Sequence, residues 1–496
     1  MTGQSAADVI VVGAGNAAFC AALAAQEQGA KVIVLEAAPE EESGGNSRFT
    51  AGSIRVVYNG VDDIKTLVPD LSPAEIENTD FGAYTAEQFF DDMGRVTQHR
   101  ADPDLVELLV TRSFETLNWM REKGVRLIPI YGRQAFKIDG KFKFWGGLTV
   151  EAVGGGPGLI AMLTTAARKR DIGIRYRTRA LDLLFDGKRV EGVRVRSESG
   201  VSDLRAKSVI LACGGFEANA EWRTRYLGPG WDLAKVRGSR FNTGDGIRIA
   251  LAIGASPRGN WSGCHAVQWE MNAPEFGDLA IGDQFQKHSY PFGILINALG
   301  KRFVDEGADF RNYTYAKYGR VVLEQPGQFA WQIFDQKVKH LQRDEYKIRQ
   351  ITKVTANTIE EFAQKLDGVN APEFLKTINE WNNAVRTDVP FNPNIKDGRG
   401  TSGLALPKSN WANTIDAPPF EGYGVTCGVT FTFGGLRINT KAQVLNTDDE
   451  PIRGLYAGGE LVGGLFYFNY PGGTGLMSGA VFGKIAGASA GEARQN

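Results

Sequence analysis

The stretch that most constrains this chain is an apolar strand running straight into a glycine turn, Asp8-Val-Ile-Val-Val-Gly13-Ala14-Gly15-Asn16-Ala17-Ala18. A second apolar strand follows and closes on an acid, Lys31-Val-Ile-Val-Leu-Glu36. Gly13 permits the tight turn, Gly15 lets backbone approach a pyrophosphate, and Ala18 keeps the following helix close to the strand. The helix N-terminus, at Asn16 and Ala17, then faces the phosphates. Glu36 falls 21 residues after Gly15, the spacing at which a carboxylate accepts ribose hydroxyls, with Ala37 beside it; a 2′-phosphate there would be repelled. The unit therefore predicts a dinucleotide without a 2′-phosphate, FAD or NAD. The same glycines and Asn16 interrupt the apolar run from Val9 to Ala25, so it reads neither as a signal segment nor as a membrane helix.

A chain of 496 residues is long for one core and implies two domains. Lys and Arg number 56 against 57 Asp and Glu, a net charge of −1, which excludes an electrostatic footprint for nucleic acid. Cys20, Cys213, Cys264 and Cys427 are scattered, with no disulfide framework, metal spacing or haem-attachment motif. No metal is expected, and the simplest address is the cytoplasm.

Along the chain, Ser43-Gly-Gly45-Asn46-Ser47-Arg-Phe-Thr-Ala51-Gly52 has the composition of a loop lying against a ligand. Helical spacing runs from Thr85 to Lys123, and a helix is expected from Leu159 to Lys169 after the glycines 154–158. Strands are expected at Ile174–Arg177, Val190–Arg196 and Phe292–Asn297. Lys207-Ser-Val-Ile-Leu-Ala212-Cys-Gly214-Gly215-Phe216 is a further apolar strand ending in paired glycines, and Asn242-Thr-Gly244-Asp245 opens a short helix. Charged helical stretches are expected from Asp335 to Lys365. Strands and glycines return at Phe433–Ile438, Gly454-Leu-Tyr-Ala-Gly-Gly459-Glu460 and Asn469-Tyr470-Pro-Gly-Gly473-Thr474-Gly475, before a small-residue helix from Leu476 to Ala490.

Those segments, in that order, resemble the flavoproteins that include fumarate reductases, succinate dehydrogenases, L-aspartate oxidases and 3-ketosteroid dehydrogenases. Val209-Ile-Leu-Ala-Cys-Gly-Gly-Phe216, Gly300-Lys-Arg-Phe-Val-Asp-Glu306 and Gly454–Glu460 carry the resemblance. It implies an α/β fold: a Rossmann-like FAD-binding domain in two stretches, 1–256 and 416–496, with an inserted α+β capping domain at 257–415. The implied cofactor is FAD, touched by the first-unit residues above and by Gly45, Asn46, Ser47, Ala51, Gly52 and Ala180. Ala212, Gly214, Gly215, Asn242, Gly244 and Asp245 would follow, then Gly459, Glu460, Gly475 and Leu476. Asn46 stands where covalent members carry the flavin-linked histidine, so the FAD is expected to be noncovalent. Pro407-Lys408-Ser-Asn-Trp411, Thr426–Gly435 and Phe466–Gly475 are similar to the tricarballylate-oxidising branch.

Desaturation next to a carbonyl requires a base for the α proton and a hydride acceptor for the β hydrogen, with fixed donors for the enolate-like charge. By resemblance, Arg311 corresponds within one position to the family's proton-donating arginine, or only clamps a carboxylate, and His265 corresponds to its substrate histidine. Thr430 and Phe431 stand where fumarate reductases carry a histidine pair before Thr432, and Tyr470 stands where they carry an arginine. Tyr470-Pro-Gly-Gly473 instead resembles ketosteroid dehydrogenases, whose tyrosine hydroxyl and an amide, here near Thr474, polarise a carbonyl; alternatively Tyr470 packs on the flavin. Phe431, Thr432, Gly473 and Thr474 are accordingly expected beside the substrate. Lys408, with Arg258, Arg240, Arg399 and His288, is a candidate for a further carboxylate. Three readings follow: a polycarboxylate dehydrogenase making cis-aconitate from tricarballylate, a ketone or cyclic-acid desaturase, and a non-catalytic electron-transfer or redox-sensing subunit. No electron-carrier motif is present, so an external acceptor is expected; the resemblance implies a membrane-associated iron–sulfur protein.

Overall fold

The computed structural model describes residues 7–493, so the outermost residues of the two expected FAD-binding stretches, 1–6 and 494–496, lie outside the described part. The first strand, Val9–Val12, sits in the interior of a six-stranded sheet, flanked by Ser208–Leu211 and by Val32–Leu35, both parallel and in register from Val9. Pro451–Ala457 extends it parallel on one side and Gly173–Arg175 on the other; Gln443–Leu445 closes one edge antiparallel. Ser208 aside, the three central strands are runs of Val, Ile and Leu without alternation, the pattern of a parallel sheet covered on both faces. All four residues of each of the three central strands are buried.

One face is covered by two helices, Asn16–Glu27 and Thr474–Glu492, which meet along a line of glycines. Gly483 and Gly487 lie so close to the first helix that a Cβ on them would fall 2.4 Å from the Ala17 carbonyl oxygen and 2.1 Å from that of Ala21. Small residues on both helices are thus what the packing distance demands.

The second sheet is built around Phe420–Leu436, a strand of 17 residues against which Pro257–Glu270, Ala330–Phe334 and Lys353–Ala356 pair antiparallel and Lys235–Val236 pairs parallel. Its pairing with Pro257–Glu270 breaks register between Asn260 and Cys264 and again between His265 and Ala266. Such bulges re-aim side chains, and here they bracket His265. Ile294–Ile296 completes the sheet, and a separate apolar cluster including Trp331, Phe362, Phe374 and Trp381 backs it.

Several expectations shift. The helix expected from Leu159 starts at Gly155, because the glycines form its first turn against the segment 47–50 rather than a loop before it. The charged stretch 335–365 yields short 3-10 turns, the strand Lys353–Ala356 and a helix only at Ile359–Lys365. The expected strand Phe433–Ile438 is the end of the far longer Phe420–Leu436, buried along almost its whole length. Phe292 sits in a 3-10 turn, leaving Ile294–Ile296 as the strand. Among the described residues no helix is long and apolar enough to cross a membrane. Cys20, Cys264 and Cys427 are buried free thiols, and Cys213 is half-buried.

Candidate active site

A single elongated cavity runs from Glu36 past the Gly13–Asn16 turn to Asn46, Glu460 and Leu476, and on to His265, Arg311 and Tyr470. Its two ends differ in kind.

The nucleotide end is walled by backbone. Gly13 has φ +110°, a left-handed conformation, and a Cβ there would sit 2.3 Å from the Ala212 carbonyl oxygen, so only glycine serves. Gly15 caps the first helix without any side-chain cap, and no acidic residue sits in that helix's first turn. That leaves helical N–H groups and the positive end of the macrodipole for a diphosphate. Glu36 is buried; one oxygen accepts the Ala38 N–H at 2.8 Å, and burial raises its pKa. Ala37, Ala180, Ala212, Gly214 and Asp245 line the same end.

Midway, Asn46 is fully engaged. Its Nδ2 donates to Glu217 Oε1 and to the Thr430 carbonyl, each at 2.6 Å, and its Oδ1 accepts the Ser239 N–H at 2.8 Å. Asn242 Nδ2 donates to the same Glu217 oxygen at 2.6 Å, while Glu460 accepts the Thr432 N–H at 2.9 Å. Burial pushes the pKa of both glutamates up, Glu460 further because Glu217 is beside it, as neighbouring buried carboxyls disfavour ionising together. Gly45, Ser47, Ala51, Gly459, Gly475 and Leu476 also line the cavity here. This uncapped helix start, close-approach glycine turn, buried ribose acid and backbone wall fit FAD.

The second-sheet end is walled by side chains. His265 is buried with neither ring nitrogen hydrogen-bonded, and its ring lies 4.7 Å from that of Tyr470 and 5.2 Å from that of Phe431. Burial, reinforced by Arg237, holds its pKa well below 6.5. The Tyr470 and Tyr315 hydroxyls hydrogen-bond each other, and burial raises both their pKa values. Arg311 donates from Nη1 to His288 Nδ1 at 3.2 Å and from Nη2 to the Arg133 carbonyl at 3.2 Å, leaving Nε buried and unpartnered. Burial lowers its pKa, and burial with Arg311 keeps His288 neutral. Accepting at Nδ1 places the His288 proton on Nε2, which is also buried without a partner. The Tyr470 loop is tied to the Arg311 segment: Gly472 N–H donates to the Asn312 carbonyl at 2.8 Å, and Asn469 Nδ2 to the Tyr313 carbonyl at 2.7 Å.

Of the residues proposed from sequence, His265, Arg311, Phe431, Tyr470 and Gly473 line this end. Others lie behind the wall. Lys408 does not reach the cavity: it is 1 % exposed, donates to the Gly293 carbonyl at 2.7 Å and lies over the Trp381 ring. Burial lowers its pKa to about 8, with Glu306 opposing. Thr432 supports Glu460, and Thr474 is buried at the start of the last helix with its hydroxyl unpartnered. Ala18, Gly52, Gly215 and Gly244 are packing positions behind the nucleotide wall, Gly215 directly against Glu460 and Thr432. Arg258 pairs with Asp102, Arg240 with Glu42, and Arg399 donates to the Ala412 and Val389 carbonyls. His288, one of the spare candidates, does reach the site.

Sequence reasoning missed Arg133, Arg237, Asp283, Gln286 and Tyr315. Arg133 Nη1 donates to Asp283 Oδ2 at 2.8 Å; Arg237 donates from Nε to Asp283 Oδ1 at 2.9 Å and from Nη1 to Thr430 Oγ1 at 3.2 Å. A small side pocket lined by Trp145, Phe292, Phe310, Arg343 and Trp411 shares His288 and Arg311 with the main cavity. Among the described residues, no three His, Cys, Asp or Glu side chains are placed to hold a metal.

A strand–glycine–helix wall facing a cap of arginines, histidines and tyrosines defines a flavin-dependent oxidoreductase site. The chain belongs to the FAD binding domain family, matched over residues 8–476. It is 30% identical to a probable fumarate reductase of Shewanella frigidimarina over 97% of this chain and 74% of that one. It is 28% identical to a 3-oxosteroid 1-dehydrogenase of Mycolicibacterium smegmatis over 98% and 97%. Among solved structures, the open form of a flavocytochrome c3 fumarate reductase matches with TM-score 0.74 and 28% identity, covering 100% of this chain and 80% of that one. The 3-ketosteroid dehydrogenase of Sterolibacterium denitrificans matches with TM-score 0.75 over 99% and 100%, at 21% identity, which speaks to fold alone. The protein is an FAD-dependent oxidoreductase acting on CH–CH groups.

Proposed function

We propose that the protein desaturates a small polycarboxylic acid, tricarballylate to cis-aconitate, using noncovalent FAD. The observation that carries this is charge: the second-sheet end of the cavity presents the guanidiniums of Arg133, Arg237 and Arg311 against one carboxylate, Asp283. Both histidines there are neutral, and although buried Glu345 also faces Arg311 and Arg133, Arg343 behind the wall adds a further guanidinium, so the wall keeps an excess of cations for anions in a site where screening is weak.

FAD, held by the Gly13–Asn16 turn, Glu36, Asn46 and Glu460, would supply the hydride acceptor for the β hydrogen. Arg311 clamps the carboxylate next to the α carbon with its free Nε edge, assisted by the His288 Nε2–H. His265, neutral and with both nitrogens free, takes the α proton; Arg311 is unsuited to this because its guanidinium is already donating to His288. The Tyr470 hydroxyl, backed by Tyr315, donates to the carboxylate oxygen on which enolate-like charge grows. One C–H bond yields its electrons to the new C=C bond and the other leaves as hydride, so the acid loses two hydrogens. Electrons then pass to an external acceptor, for which a membrane-associated iron–sulfur protein is the proposal; a cytoplasmic address accords with this.

A second reading, ketone desaturation, is favoured by the Tyr315–Tyr470 hydroxyl pair among Phe431 and Phe466. Anaerobic mixing with tricarballylate, succinate or a 3-ketosteroid, following loss of the flavin band near about 450 nm, decides between them. Bleaching by tricarballylate is expected. Bleaching only by the ketosteroid transfers the assignment to Tyr470-centred ketone chemistry, and no bleaching by any of them favours a non-catalytic flavoprotein. Noncovalent attachment rests on the amide at Asn46, which has no nucleophilic nitrogen; acid precipitation is expected to release all the flavin into the supernatant.

A further inference from the structure

The three guanidiniums at the second-sheet end are not equivalent. Arg237 is committed to the protein: Nε and Nη2 point to Asp283 Oδ1 and Nη1 to Thr430, and its side chain is 6 % exposed. Arg311 has one nitrogen on His288 and one on the Arg133 carbonyl. Arg133 donates only from Nη1, to Asp283 Oδ2, and among the described residues its Nε and Nη2 have no protein acceptor. Its side chain is 24 % exposed on the cavity wall. A charged fork with two donors unused is the shape that takes a carboxylate bidentately.

Its origin is separate as well. Arg311 and His265 come from the second-sheet segment and Tyr470 from the last glycine loop, whereas Arg133 lies in the one-turn helix Tyr131–Gln134 that leads into the hairpin of Ala135–Ile138 and Lys141–Phe144. Asp283 bonds Arg133 through one oxygen and Arg237 through the other, holding two like charges side by side. Glu345 and Glu151 also face Arg133, so what a further carboxylate would meet there is the open Nε–Nη2 fork.

We propose that Arg133, positioned by Asp283, forms a subsite for a third carboxylate and so selects tricarboxylic over dicarboxylic acids. This deepens the polycarboxylate reading above and rests on it. The test uses the oxidised holoenzyme and titrates citrate, a tricarboxylate, and malonate, a dicarboxylate, by the perturbation each makes in the flavin spectrum. Arg133→Gln is expected to weaken citrate by about 30-fold or more, the size of effect seen when one partner of a desolvated charge pair is truncated, and malonate by less than about threefold. Arg133→Lys, which keeps the charge but not the fork, is expected to fall between wild type and Arg133→Gln for citrate.

Flavin content and melting temperature equal to wild type qualify each variant; if Arg133→Gln does not hold FAD, Arg133→Lys alone decides, and wild-type citrate affinity in it overturns the subsite. Unchanged citrate affinity in Arg133→Gln overturns it too, as does equal weakening of citrate and malonate, which would make Arg133 a general anion clamp. If wild-type protein binds neither acid, the polycarboxylate reading itself fails and the subsite with it, a result distinct from the variant outcomes.

Discussion

The two ends of the cavity solve recognition differently. At the nucleotide end the wall is main chain: Gly13 turned at φ +110°, the uncapped start of the first helix at Gly15, and Gly214 after the strand Ser208–Leu211. At the other end it is side chain: Arg133, Arg237, Asp283, His265, His288, Arg311 and Tyr470, drawn from stretches scattered along the chain. Backbone recognition demands local pattern, because the turn, the helix start and the close approach must follow one another within a few residues. Side-chain recognition demands only that side chains converge. The first end is therefore fixed by short stretches of chain, and the second by the fold as a whole.

The contrast can be broken most severely at the backbone. Gly13→Val places side-chain atoms where the Ala212 carbonyl stands, and the purified variant is expected to contain essentially no flavin, read as the ratio of flavin to protein absorbance. At the side-chain end, His265→Gln is expected to keep full flavin and lose about 1000-fold in turnover with tricarballylate, as removal of a general base does; turnover within about tenfold of wild type would take His265 out of the proton transfer. Lys408→Ala tests the boundary of the site. It removes the donor to the Gly293 carbonyl and leaves a cavity beside Trp381 in the core behind the second sheet, and is expected to cost about 3 kcal/mol in chemical denaturation while KM stays within about twofold of wild type.

Smaller effects sharpen the comparison through pH. Burial raises the Glu151 pKa from 4.5 to about 7, with Arg133 opposing and Asp283 adding. A carboxyl that binds its proton more tightly folded than unfolded contributes stability below the unfolded value and loses it as pH rises towards 7. Wild type is thus expected to lose stability relative to Glu151→Gln between about pH 4.5 and about pH 7, by at most about 3 kcal/mol. The smallest effect is an absence. Since His265 is neutral well below pH 6.5, saturated turnover is expected to show no acid limb near that value between about pH 6 and about pH 8; an inflection at about 6.5 would place an ordinary, solvated histidine in the mechanism.

The same contrast explains what can be read from residues alone. The glycine turn, Glu36, the paired glycines at 214–215 and the Gly459-Glu460 segment announce themselves within short windows of sequence, and all lie on the nucleotide wall or directly behind it. Arg133 and Asp283 stand 150 positions apart, and nothing local marks either as a partner of the other. Lys408 stands out for its neighbours in sequence, yet it points into the core behind the second sheet. A usable signal does exist at His288: Gln286-Lys287-His288-Ser289 is a run of four polar residues, all buried, with neither helical nor alternating periodicity, and a polar run that a fold chooses to bury requires internal partners.

The glycine seam, where Gly483 and Gly487 of the helix Thr474–Glu492 press on the helix Asn16–Glu27, has a consequence for the order of synthesis. It joins segments separated by nearly the whole chain, and a ribosome releases the first strand and helix long before the strand Pro451–Ala457 and the last helix that cover them. Until then the Ala17 and Ala21 face of the first helix has no mate, and the nucleotide wall lacks Gly459, Glu460, Gly475 and Leu476. The intervening second sheet also cannot close before Phe420–Leu436, its central strand, has emerged. Domains fold as units once their parts are available, so the cofactor fold stays open until the helix Thr474–Glu492 has emerged, and flavin capture waits on that helix.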